Sequence, residues 1–252
     1  MISVQSVQSF SSFFVSLPFN EIIKGEVLKY IVVELFLIFC KKHVNFRYLK
    51  RRILLSSFCV TMNVYDTIIS RRTIRRFQQK HLNLALLKKF VNAARLAPSA
   101  ANLQPLEYII VTEKQLCAQL FETLGWAAYI QPKWTPNEHE RPSAYILILV
   151  KDIKNPYYQR DVSFATENIV LTAEAEGLGS CILCNINREM IQKIFKIPQT
   201  ISIDSVIALG YKAEKSVIED MGDSVKYWRD EHDVIHVPKR KLEDIIHVNK
   251  FS

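Results

Sequence analysis

Residues 143–150 read Ser-Ala-Tyr-Ile-Leu-Ile-Leu-Val, an uncharged run without polar alternation. A continuous apolar run of this kind belongs to a strand inside a sheet that is dry on both faces. Such a sheet needs a layer of helices on each side, and from Met62 onward the sequence supplies them. Residues 62–70 read as a short helix running into a cluster of arginines. Asn83 is placed as the N-cap of a helix with Leu84, Leu87, Val91 and Ala94 at helical spacing, stopped at Pro98. A β-rich stretch at 107–112 and a helix at 113–124 precede the apolar strand. The longest helical pattern covers 161–178, with Val162, Ala165, Ile169 and Ala173 on one face and Gly177 and Gly179 at its end. A strand at 180–184, a helix at 188–195 and a strand at 202–209 closed by Gly210 complete the alternation. Beyond Gly210 the chain is polar and sparsely periodic, a tail expected to pack on something else, a partner subunit being one candidate.

The chain is long enough, at 252 residues with about half of them apolar (49%), for one full core plus an appendage. Its formal charge of +8 would point to nucleic acid or a membrane surface if the excess were on the folded body. Residues 1–61 hold eight Lys/Arg against three Glu, a net +5, which leaves 25 basic and 22 acidic residues, +3, for 62–252. No basic stripe interleaved with aromatics runs along that body, so nucleic-acid binding is set aside. The first 61 residues have no basic stretch ahead of an apolar run, which argues against a signal peptide. Their most apolar piece, 30–40, is interrupted by Glu34 and too short to cross a bilayer. Two readings of 1–61 stand, a weakly organised amphipathic appendage and a translated leader upstream of a start at Met62; the onset of regular pattern at Met62 favours the second. Five cysteines, an odd number, argue against a disulfide framework and for reduced thiols. Cys181 and Cys184 form a C-x-x-C without the second ligand pair that structural zinc requires, and read as buried thiols.

Two stretches carry the chemistry. Residues 70–77 place Arg71, Arg72, Arg75 and Arg76 beside the Thr73 hydroxyl, a cation set suited to a phosphate, since guanidinium forks match phosphate oxygens two bonds at a time. Residues 97–105, Ala-Pro-Ser-Ala-Ala-Asn-Leu-Gln-Pro, offer a hydroxyl and two amides able to read the edge of a heterocycle. The Gly177-Leu178-Gly179 run follows a helix and precedes a strand, the reverse of a dinucleotide-binding loop. No phosphate-loop, zinc-protease or serine-hydrolase motif occurs.

These two stretches, Glu167-Asn168-Ile169, Gly177-Leu178-Gly179-Ser180-Cys181, Ala208-Leu209-Gly210-Tyr211 and Pro238-Lys239-Arg240 together resemble the FMN-dependent nitroreductases over nearly all of 62–252. Each piece is common alone; six in one order are specific. The resemblance implies an α+β fold, an α/β-like sandwich with a central mixed, mainly antiparallel sheet flanked by helices on both faces and a C-terminal extension packing on a dimer partner. It implies FMN as cofactor and NADH or NADPH as electron donor. Acceptors would be nitroaromatics, quinones or similar small molecules, reduced in a ping-pong cycle in the cytoplasm, with no catalytic side chain and no metal. By the same resemblance Arg71, Arg72, Thr73 and Arg75, with Lys239 and Arg240, hold the flavin phosphate and ribityl chain. Pro98, Ser99, Ala100, Asn102 and Gln104 approach from the other subunit of a homodimer. Gly179 and the backbone at Leu183 and Cys184 lie at the flavin ring, the latter two offering N–H groups to its N5. Two departures from the family pattern stand out: Thr73 where Ser is commoner, and Leu106 where many members carry Trp. Reductive dehalogenation, ene reduction and flavin storage without turnover are the alternatives on the same cofactor contacts.

Each piece also has a plainer reading. Residues 71–76 fit a solvated basic turn, Ser99 and Asn102 loop caps, and Gly177 and Gly179 a helix stop with a tight turn. Glu167 fits an exposed position or a partner for an arginine. Trp126, Tyr129 and Trp134 fit core anchors as well as a lid over the acceptor, and His139, His232, His236 and His247 read as solvent-facing.

Overall fold

In the computed structural model, the structure describes residues 63–130 and 134–251, which fall in the second of the two units into which the chain divides, 61–252. The expectation that 1–61 is a leader lies outside the described residues.

The sheet is organised around the apolar run. Strand β3 (Ala144–Val150) is buried at every residue and pairs antiparallel with β2 (Leu106–Val111) on one edge and β5 (Ser202–Lys212) on the other. On its far edge β5 pairs antiparallel with β4 (Leu178–Leu183). Tyr211 is matched to both Leu178 of β4 and Gln78 of the two-residue β1 (Phe77–Gln78). A strand has two edges, so β1 lies on the same side of β5 as β3. The order across the sheet is therefore β4-β5-β3-β2, with β1 extending the β3 edge, and every named pairing in it is antiparallel.

Alternation along β3 divides the core. Ala144, Ile146, Ile148 and Val150 face α2 (Leu84–Arg95) and α4 (Tyr158–Ala175), where Leu87, Phe90, Val162, Ala165 and Ile169 are buried. Tyr145, Leu147 and Leu149 face α3 (Lys114–Phe121) and α5 (Arg188–Phe195) through Leu120, Phe121 and Ile191. Both faces are covered, as a wholly apolar strand demands. Helix α1 (Val64–Ser70) packs beside α4. Asn63, Asn83 and Asn187 cap α1, α2 and α5, each side chain accepting a backbone N–H of the first turn.

Three boundaries differ from the sequence reading. On α2 the buried residues are Leu87, Phe90 and Ala94, while Leu84 is 47% exposed, because the core-facing stripe starts one turn later. Helix α4 stops at Ala175 and Gly177 takes φ +75, so Leu178 and Gly179 belong to β4. The chain beyond Gly210 is no structureless tail. Strands β6 (Ser216–Asp220), β7 (Trp228–Arg229) and β8 (Ile235–Lys239) form a second sheet, with β8 parallel to β6 and antiparallel to β7. Only after β8 does an irregular piece of turns and bends remain.

Candidate functional site

Residues 71–77 are laid across β4 and β5 at a place cleared for them. Gly179 and Gly210 are direct cross-strand partners. A Cβ at Gly179 would sit 2.8 Å from Ile74, and one at Gly210 would sit 2.8 Å from Phe77. With both side chains absent, Ile74 and Phe77 drop onto the sheet and are buried, each burial worth roughly 1.5–3 kcal/mol. Thr73 bridges Ser180, and the Ile74 N–H donates to the Ser180 carbonyl at 2.9 Å. Gly179 is thus a packing glycine whose missing side chain makes room for Ile74. The apolar anchors at 74 and 77 leave the arginines between and before them at the surface of the sheet.

Those arginines have different partners. Arg71 lies 4.0 Å from Glu167 on α4, a loose pair with the glutamate half exposed. Arg72 donates to the Arg71 carbonyl and, at 2.6 Å, to the Ile69 carbonyl, so its guanidinium covers the C-terminal end of α1. Burial and the neighbouring Arg71 lower its pKa, with Glu174 opposing them. The Arg75 backbone N–H donates to Glu214, and its guanidinium stacks 4.5 Å from the Tyr227 ring centroid with no carboxylate partner among the described residues. Arg76 is paired with Asp233 and, at 3.5 Å, with Glu140. Arg229 pairs with Asp233 at 2.6 Å and with the buried Glu214 at 3.2 Å.

The same cluster fastens the second sheet to the first. Trp134 lies between Arg76 and Arg229, 5.3 and 5.0 Å from its ring centroid, and Tyr129 packs on Tyr227 at 5.1 Å. The aromatic segment read as a lid is therefore held against the arginine segment and the second sheet, whereas Trp126 is a core residue stacked on Phe121 at 5.5 Å. Strand β8 ends at Lys239, whose carbonyl accepts the Met221 N–H and whose ammonium has no partner among the described residues. The Arg240 guanidinium donates to the Asp244 carbonyl at 2.7 Å. Within this sheet His236 is not the free surface residue its polar surroundings imply. Its Nδ1 lies 3.0 Å from Glu219 and its Nε2 3.0 Å from Asp230, with the ring stacked on Trp228 at 4.4 Å. The Asp230 contact, then Glu219, raises its pKa against desolvation, and the same contact lowers that of Asp230.

Residues 97–105 sit at another station on α4. Ser99 and Ala100 are tied to Asp161, six residues before Glu167, so the loop and Arg71 meet α4 about 9 Å apart along its axis. Ala101, Asn102 and Gln104 take positive φ of 50, 54 and 48, and residues 101–104 are exposed. The Gln104 amide donates to the Asn102 carbonyl at 3.2 Å, and the Asn102 side chain has no hydrogen bond among the described residues. Pro98 is exposed beside them. In one chain the loop thus leaves Asn102 and Gln104 exposed, at a different level of α4 from Arg71.

At the other end of β4, Leu183 is buried while Ile182 and Cys184 are exposed. Cys184 is therefore a surface thiol, in contrast to Cys181, whose pKa burial pushes to about 11. The chain beyond is held by Gly125, whose N–H donates to the Asn185 carbonyl at 2.8 Å. Sequence reasoning missed Asp161 and Glu214; both are buried carboxyls whose partners are remote in sequence, and a polar residue in the first turn of a helix gives no signal of its own. Among the described residues no group of acidic, His and Cys side chains could hold a metal ion, and no helix is long and apolar enough to cross a membrane.

Comparisons with known proteins agree with this architecture. A putative NADH dehydrogenase/NAD(P)H nitroreductase of Archaeoglobus fulgidus is 35% identical over 161 residues, covering 60% of this chain and 87% of the relative. An iodotyrosine deiodinase of Thermotoga neapolitana is 26% identical over 165 residues, covering 59% and 88%. The solved structure of an FMN-dependent nitroreductase from Clostridium difficile R20291 superposes with a TM-score of 0.53 at 25% identity, covering 73% of this chain and 98% of that one. The family model described as Nitroreductase family matches residues 68–211, from the end of α1 to the end of β5, and the chain belongs to that family.

Proposed function

We propose that this chain is an FMN-dependent oxidoreductase that uses NADH or NADPH to reduce nitroaromatics, quinones or similar small acceptors, with 62–252 as the cofactor-binding domain. The observation that carries the reading is the pattern of partners in the family-matched region and beyond it. Arg76 and Arg72 are committed to carboxylates or carbonyls, while among the described residues the Arg75 guanidinium and the Lys239 ammonium have no carboxylate and Arg71 has only a loose one. Unpaired cations beside a threonine hydroxyl are the donor set a phosphate monoester needs, so these residues fit the charged end of FMN. On this reading Arg71, Thr73, Arg75 and Lys239 hold the phosphate. Arg72 supports the segment from behind, and Arg240 lies next to the site with its guanidinium turned to Asp244. On the same reading the C-terminal end of β4, at buried Leu183 and exposed Cys184, offers backbone N–H groups to the ring, and Tyr129 and Trp134 wall the acceptor side.

The chemistry that FMN would supply when bound is two-electron exchange, from nicotinamide to acceptor in a ping-pong order. The protein's part is to bind, to orient, and to place positive charge and N–H dipoles where the reduced ring becomes anionic.

The outward amides of Asn102 and Gln104 serve the flavin of a second copy. Exposed apolar residues support a homodimer: Val64, Tyr65, Ile68 and Ile69 form a stripe on α1, and Leu242, Ile245 and Phe251 follow β8. A cytoplasmic location accompanies this reading. Purified full-length chain is expected to be yellow, to bleach with NADH or NADPH under anaerobic conditions, and to recover colour on addition of a quinone. Colourless protein that takes up no added FMN would end the proposal, and a monomer in light scattering would end its dimeric part. Reductive dehalogenation is the second reading, favoured by the likeness to the iodotyrosine deiodinase of Thermotoga neapolitana. Halide release from a halogenated phenol under reducing conditions, with no nitro reduction, would select it.

A further inference from the structure

We propose that Asp161 is a positioning residue: acting through Ser99, it holds residues 97–105 in the shape that turns Asn102 and Gln104 outward. This rests on the reading of that loop as cofactor-facing. Asp161 is only 3% exposed and has no ion pair among the described residues. A buried carboxyl without a cation costs stability that an apolar side chain would not. It stands in the first turn of the 18-residue α4, where the helix dipole favours an acid, yet its oxygens serve the loop instead of the helix end.

Its Oδ2 accepts from the Ser99 hydroxyl at 2.6 Å and its Oδ1 from the Ala100 N–H at 3.0 Å. The Ser99 oxygen in turn accepts the Gln104 N–H at 2.9 Å. One carboxyl therefore ties down both ends of the turn, residues 99–100 and residue 104. Between and at those ties sit Ala101, Asn102 and Gln104, three non-glycine residues at positive φ. Left-handed backbone persists in such residues only where the surroundings over-determine it. Among the described residues no other side chain fixes both ends, so the brace and the strain belong together. Ser99 is then a relay to Gln104 and not a ligand-facing hydroxyl, while Asn102 and Gln104 carry the contact.

The test uses full-length protein, Asp161→Asn and Ser99→Ala, with amide hydrogen exchange on the FMN-free chains and FMN titration by fluorescence quenching. Asp161→Asn keeps one acceptor and the side-chain volume but sets an NH2 against a donor. Expected for both variants are faster exchange at Ala100 or Gln104, unchanged exchange in β3 and β5, and an FMN dissociation constant raised roughly tenfold. Should Asp161→Asn fail to fold, Ser99→Ala, at a less buried site, cuts the same relay. Unchanged exchange in the loop would overturn the brace. Altered exchange with unchanged FMN affinity would overturn the link to the cofactor. Wild-type protein that binds no FMN would overturn the functional reading and this role with it, while the exchange data would still report on the brace alone.

Discussion

Replacing Gly179 with alanine should separate the arginine segment from the sheet. The new Cβ would lie 2.8 Å from Ile74 Cβ and Cγ2 and 3.0 Å from its Cγ1, whereas carbon atoms rest at about 3.5–4.0 Å. Ile74 cannot rotate away cheaply. It is β-branched, buried to 3% exposure, and pinned by its N–H to Ser180 at 2.9 Å. The segment has to lift by a few tenths of an ångström to an ångström, and overpacking of this kind costs about 1–3 kcal/mol. For a folded body of this size each kcal/mol lowers the midpoint by roughly 2–4 °C, so a fall of about 2–12 °C is expected in a calorimetric melt of cofactor-free protein. Because Arg71, Thr73 and Arg75 flank Ile74, the same substitution should weaken FMN binding. Gly177→Ala is the control: it meets open space but sits at φ +75, so it should cost about 1–2 kcal/mol and leave FMN affinity alone. A Gly179→Ala protein that melts within a degree of wild type, or a Gly177→Ala protein that loses FMN equally, would refute the packing explanation.

Three further outcomes are expected. Arg71→Ala should lose a charge-assisted contact and weaken FMN binding by about 1.5–3 kcal/mol, while Arg72→Ala should mainly lower the melting temperature, since its guanidinium covers α1 carbonyls; isothermal titration and melts of both variants check this. His236 has a raised pKa, chiefly through Asp230. Its contribution is therefore complete below the unfolded value of about 6.5 and is lost as pH rises through the higher folded value, so the wild-type midpoint should fall over that range more than that of His236→Gln. Histidine ring NMR titration gives the folded pKa directly, and a value at or below the unfolded one would contradict the two-carboxylate geometry. Of the cysteines among the described residues, Cys184 should react with a thiol reagent in the native state, while Cys117 and Cys181, both pushed to about 11 by burial, should react only on unfolding; peptide mass spectrometry reads the order.

Legibility followed how local the cause was. The apolar run at 144–150, the helical spacing on α4 and the Asn83 cap each act within a few residues, and each appears in the structure where the sequence put it. The second sheet escaped notice because β6, β7 and β8 have only five, two and five residues, and β6 pairs with β8 in parallel across a connection without a helix. In the site, the arginine segment and the loop at 97–105 stood out by composition. What each side chain binds did not. The Ser99 hydroxyl reaches Asp161, 62 positions away, and the Glu214 carboxylate reaches the Arg75 backbone N–H, 139 away, partners that only the finished fold brings together. His236 looked solvent-facing for the same reason, its carboxylates lying 17 and 6 residues back.

The lock formed by Arg76, Arg229, Asp233 and Glu214 has a bearing on how the protein comes to be loaded. It joins the segment that opens the family-matched region to strands that follow it, so on the proposed reading neither half of the phosphate cradle exists in working form without the other. A chain still on the ribosome, with the residues beyond β5 not yet made, would own Arg71 and Arg75 but neither Lys239 nor the Glu214 carboxylate that accepts the Arg75 N–H. Flavin capture would then be a late event in the life of the polypeptide, following closure of the second sheet and incapable of templating the first.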